Sequence, residues 1–113
     1  MSRWENQNAP DEKFIREVVR RVVAVAHPDR IILFGSAASG QMNKDSDVDL
    51  LVVCRVVEDD LDESVRIRRS LLGMGTPFDI FVMPVDLFET TKTIIGSLAF
   101  PAHKYGKVIY AAA

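Results

Sequence analysis

The run Val48–Cys54, VDLLVVC, constrains the chain more than any other stretch. It is β-branched and apolar apart from one carboxylate, Asp49, and reads as a strand. Side chains alternate faces along a strand, so Val48, Leu50 and Val52 share one face while Asp47, Asp49 and Leu51 share the other. An earlier apolar run, Ile31–Phe34, reads as a buried strand. Gly35–Gly40 follows it, small and polar, suited to a tight turn entering a short helix, and Gln41–Ser46 is the loop between.

The remaining elements fall around these two strands. Asp11 is a candidate helix cap. After it, Phe14, Ile15, Val18, Val22, Val25 and Ala26 recur at helical spacing until His27-Pro28 stops the helix. Asp59–Leu72 predicts a helix with Leu61, Val65, Ile67 or Arg68, and Leu72 near helical spacing, broken by Gly73, Gly75 and Pro77. Phe78–Met83 is a third strand ended by Pro84, and Val85–Thr91 is a helical turn. Ile94–Tyr105 predicts a last helix, interrupted at Gly96 and Pro101, and Lys107–Tyr110 a short fourth strand. This order argues an α/β sandwich: a small mixed β-sheet flanked by helices. A length of 113 residues fits one domain, with residues 1–10 a flexible polar arm and residues 11–113 the domain.

Composition narrows the functions. Lys and Arg number 14 against 16 Asp and Glu, a net charge of −2, which argues against nucleic acid as a direct substrate. The N-terminus lacks the apolar core of a signal peptide. No apolar run reaches the ~20 residues that span a bilayer. A cytoplasmic protein is expected. Cys54 is the only cysteine, which leaves no intramolecular disulfide and a buried thiol. His27 and His103 lack metal-ligand spacing and read as surface or capping residues. Arg66, Arg68 and Arg69 form a basic cluster that faces solvent, a nucleotide, RNA or an acidic partner. Tyr105 and Tyr110 pack the C-terminal edge or sit at an interface.

The chemistry concentrates in the acids. Asp47 and Asp49 lie about 7 Å apart on one strand face and can converge on hard cations. Mg²⁺ is held by one or two carboxylates plus substrate phosphates. Two such ions, about 3.5–4 Å apart, clamp both oxygens of a phosphoryl displacement. If the third strand lies beside the second, Asp79 faces the same metals and helps accept the attacking hydroxyl's proton. Gly35 lets the backbone approach a phosphate. Ser36 adds a hydroxyl, and the helix start favours anions. Lys44, on the loop before Asp47, is a candidate phosphate contact. No Gly-Lys-Ser/Thr follows Gly35, so this is not a Walker loop. Taken singly, Gly35-Ser36 is an ordinary turn, Asp45-Ser46-Asp47 a polar loop, and Asp79 a strand-end residue. Their combination is far less common.

Gly35-Ser36, Asp47-Val48-Asp49 and Asp79 resemble the motif of the nucleotidyltransferase superfamily with the polymerase-beta-like fold. Small size and the tail GSLAFPAHKYGKVIYAA resemble its minimal nucleotidyltransferases, the antitoxin components of HEPN/MNT toxin–antitoxin modules. The resemblance covers most of residues 14–111. It implies transfer of AMP, or another NMP, from ATP or another NTP with Mg²⁺ to a hydroxyl, in known pairs a tyrosine of the partner HEPN toxin. It also implies a complex with that partner or another copy. Asp47, Asp49 and Asp79 match the metal-binding acids of the family; Gly35 and Ser36 match the phosphate turn. Many minimal members carry Gly-Ser-Arg-x-Arg-Gly, whereas this chain has Ala37 and Ser39 at the arginine positions. A charge-assisted hydrogen bond contributes roughly 1.5–3 kcal/mol, so two lost guanidinium groups weaken nucleotide binding unless another cation, such as Lys44, replaces them.

Three functions remain open at this point. The intact acids favour an active protein adenylyltransferase. The missing arginines favour a catalytically weak or inactive antitoxin that neutralises its partner by binding. An aminoglycoside-type small-molecule transferase would need an acceptor domain that the chain has little room for.

Overall fold

The computed structural model describes Trp4 and residues 8–113. A first helix, α1 (Glu12–Ala26), leads to β1 (Arg30–Phe34), a one-turn helix α2 (Ser36–Ser39) and β2 (Val48–Cys54). Helix α3 (Asp60–Ser70) crosses to β3 (Phe78–Pro84), followed by α4 (Val85–Thr91), α5 (Ala99–Tyr105) and β4 (Lys107–Ala111). The strands form one sheet in the order β3-β2-β1-β4. β1 pairs antiparallel with β2 and β4, while β2 and β3 run parallel. The sheet is thus mixed and flanked by helices, the architecture expected from the order of elements.

Local chemistry fixes the ends of these elements. The Asp11 side chain accepts a hydrogen bond from Phe14 N–H at 2.9 Å and caps α1. Asp59 caps α3 in the same way, accepting from Asp62 N–H at 3.0 Å. His27 ends α1 in the left-handed conformation, φ 46°.

Two hydrophobic layers cover the sheet. Val48, Leu50, Val52, Ile80 and Val82 pack with Val18 and Val22 of α1 and Ile67 of α3. Ile32, Phe34, Leu51, Val53 and Met83 pack with Phe88 of α4 and Ala99 and Ala102 of α5. The period of two in β2 sorts its residues between these layers, as the alternation predicts.

Three expectations need correction or limits. The last helix starts at Ala99, not Ile94: Gly96 sits at φ 96°, and Ile94 and Ile95 are exposed in the turn before it. Pro101 is tolerated because it is the third helical residue, where an N–H has no intrahelical acceptor. Helix α3 ends at Ser70; Leu61 in it and Leu72 beyond it face solvent, while Ser64, Ile67 and the capping Leu71 are buried. The expected flexible arm, residues 1–10, falls mostly outside the described residues. Trp4, however, is buried edge-on to Phe14 with centroids 5.2 Å apart, and Phe14 stacks on Phe78. Met42 N–H donates to the Asn8 carbonyl at 3.0 Å. Among the described residues no helix is long and apolar enough to cross a membrane.

Candidate active site

Asp49 is the second residue of β2. It stands opposite Asp79 of β3 on one side and Phe34 of β1 on the other. Directly opposed residues of neighbouring strands share a face, so Asp79, Asp49 and Phe34 form a row across the sheet, adjacent members about 4.8 Å apart. That face carries α4 and α5, and the acids occupy its open rim. Asp47, one residue before β2, is exposed, while Asp49 and Asp79 are half-buried. The parallel pairing of β2 and β3 therefore brings the third acid to the first two, the condition the sequence left open.

The charge there is concentrated. Burial first, then the neighbouring Asp79 and Asp47 carboxylates, hold the Asp49 carboxyl above the usual range. Among the described residues no lysine or arginine forms an ion pair with any of the three. The donors are all carboxylate oxygens, suited to a hard cation. They do not form a closed cage: among the described residues no group of three His, Cys, Asp or Glu has metal-holding spacing. A Mg²⁺ ion completed by phosphate oxygens and water needs only one or two carboxylates. Asp49 with Asp79 or Asp47 fits that requirement.

Gly35 links this acid row to the Gly35-Ser36 turn. Its φ of 66° suits glycine, and a Cβ built there would collide with the Asp49 carboxylate. The turn is thus held against the carboxylate by the Phe34–Asp49 pairing. The Gly35 carbonyl accepts from Ala38 and Ser39 N–H at 3.1 and 3.2 Å, closing α2. The N–H groups of Ser36 and Ala37, at the helix start, have no intrahelical acceptor.

The other expected residues divide clearly. Lys44 is exposed on the turn where Ser46 N–H bonds the Asn43 carbonyl at 3.1 Å, and it makes no ion pair with the three acids. Ala37 is buried in the core, whereas Ser39 is exposed. The two positions that carry arginine in many similar chains are therefore physically unlike here. Arg66, Arg68 and Arg69 are exposed on α3, in the layer covering the opposite sheet face. Arg66 is tied to Glu63 and the Val25 carbonyl. His103 lies edge-on to Phe88, and Cys54 is buried, its thiol pushed up chiefly by burial. Sequence reading missed that Phe34 shares the acid row; only the register of β1 against β2 reveals it.

A family model described as the nucleotidyltransferase domain matches residues 12–104. The chain belongs to this family. A nucleotidyltransferase-domain chain of this size has a curated relative in Methanocaldococcus jannaschii, an inferred protein adenylyltransferase, MJ0141. The two are 35% identical over 65 residues, covering 58% of this chain and 65% of that protein's length. A crystal structure of the toxin–antitoxin MntA–HpeT, in a mutant form, is similar in fold, with a TM-score of 0.63 and 16% identity. That match covers 91% of this chain and 75% of the other.

Proposed function

We propose that this chain transfers AMP from ATP to a hydroxyl of a partner protein, a tyrosine of a HEPN-domain toxin, and so acts as an antitoxin. The observation that carries the reading is the opposition of Asp49 and Asp79 beside the Gly35-Ser36 turn. The acceptor oxygen attacks the α-phosphorus of ATP, and the bond from that phosphorus to the pyrophosphate oxygen breaks. Pyrophosphate leaves with the bonding electron pair. Asp79 takes the hydroxyl proton and passes it to solvent. Gly35 and Ser36 hold the β- and γ-phosphates, and Asp47 and Asp49 orient the triphosphate. A divalent ion, Mg²⁺ by the chemistry of the donors, would be held by Asp49 with Asp79 or Asp47 and would neutralise charge on the phosphoryl oxygens. The name of the archaeal relative supports adenylyl transfer to protein, and the fold likeness to a toxin–antitoxin pair supports a toxin as partner.

The buried Ala37 favours a second reading, in which the chain neutralises its partner by binding alone. One experiment separates them. The protein is incubated with its partner, Mg²⁺ and ATP labelled at the α-phosphate. Label on the partner is expected, lost in Asp47→Asn and Asp79→Asn. An unlabelled partner that is nevertheless neutralised, by wild type and both variants alike, would establish capture without transfer.

A further inference from the structure

Among the described residues no strand pairs with the outer edge of β3, and the rim acids stand at its start. Val48 N–H donates to the Pro77 carbonyl at 2.9 Å. In a parallel ladder the alternate residues Asp79 and Phe81 then turn their backbone groups toward β2, while Ile80 and Val82 turn theirs outward. Natural edge strands are commonly blunted by charged side chains, proline or bulges. Within FDIFVMP the residues of that kind are the charged Asp79 at its start and the terminal Pro84, and Ile80–Met83 carries none.

A groove of about 210 Å³ runs along this edge, lined by Ile80, Phe81, Val82, Leu61, Leu98 and Asp60. Leu61, from α3, is 72% exposed, and Leu98, before α5, is 41% exposed. Ile94 and Ile95, in the same turn as Leu98, are also exposed. The groove is thus apolar along its middle. Ser64 also lines it, Asp60 makes one end acidic where α3 begins, and Asp79 stands beyond its other end at the start of β3.

We propose that the β3 edge docks an extended segment of a partner protein as a fifth strand, apolar in its middle and basic at its ends. The backbone groups of Ile80 and Val82 supply the ladder. Leu61 and Leu98 flank the apolar middle from the two sheet faces, and Asp60 and Asp79 select the charge. Docked in this way, the segment brings a side chain beside Asp79. That this side chain is the hydroxyl acceptor rests on the transfer reading above; the docking does not.

The test uses a fluorescein-labelled peptide with a valine-rich centre, one tyrosine and flanking lysines, and a companion with glutamate for lysine. No nucleotide is present. Anisotropy should report binding of the basic peptide only, and hydrogen exchange should slow at the Ile80 and Val82 amides. Leu61→Lys and Leu98→Lys, at exposed positions that leave the fold intact, should each weaken binding about tenfold. Equal binding of the acidic peptide, protection at β4 instead, or no protection at all overturns the proposal. So does β3 protection that grows with protein concentration alone, which would assign the edge to another copy. Docking here with no label transferred to the partner in the ATP experiment above would overturn adenylyl transfer and leave this inference standing; label transfer there without docking here would do the reverse.

Discussion

Gly35 is the residue at which fold and chemistry are hardest to separate. Its positive φ and its contact with Asp49 both exclude a side chain. Gly35→Ala should destabilise the domain by about 1–3 kcal/mol, read by urea denaturation, through strain and displacement of that carboxylate. The sequence pointed to this glycine, but for phosphate approach; its packing against Asp49 depends on a strand register that no local pattern encodes. Asp49 carries a pH signature of its own. Its folded-state pKa lies above the ordinary value, so the folded state binds the extra proton between the two. In chelator, stability should therefore rise as pH falls through the raised value, and Asp49→Asn should remove that rise. A thermal-denaturation series across pH checks both, and a wild-type curve falling throughout that window would contradict the assignment.

At the scale of elements, the proposed transfer reading makes α2 the helix that sets nucleotide affinity. Its inner position, Ala37, is packed in the core and its outer position, Ser39, faces solvent. Ser39→Arg should fold normally and tighten ATP binding about tenfold, by one charge-assisted hydrogen bond. Ala37→Arg should instead destabilise the domain, because a cation would enter an apolar layer. Titration calorimetry and thermal melts distinguish the two outcomes. The strands β1 and β2 and the cap at Asp11 were legible because each depends on near neighbours in sequence. The start of α5 was not, since Ile94 and Ile95 look like a buried helical face yet lie exposed before Gly96. Leu61 misled in the same way: α3 turns Ser64 and Ile67 inward and leaves the leucine beside the β3 edge.

Across the whole molecule, Trp4 and Met42 of the loop before β2 share one buried layer. Trp4 is the only tryptophan, and it is buried against Phe14. Its fluorescence should therefore shift to the red in the same urea transition that abolishes far-UV circular dichroism. An earlier fluorescence transition would mean that Trp4 undocks alone. The meeting of Asp49 with Asp79 is equally a property of the whole, since all of α3 lies between them in sequence. The chain reaches that contact through a long crossover, the slow kind of closure in folding. Two like charges await each other at its end. The acid pair should therefore slow assembly of the sheet, and Mg²⁺ or mild acid should quicken refolding in stopped-flow measurements while Asp79→Asn abolishes the effect.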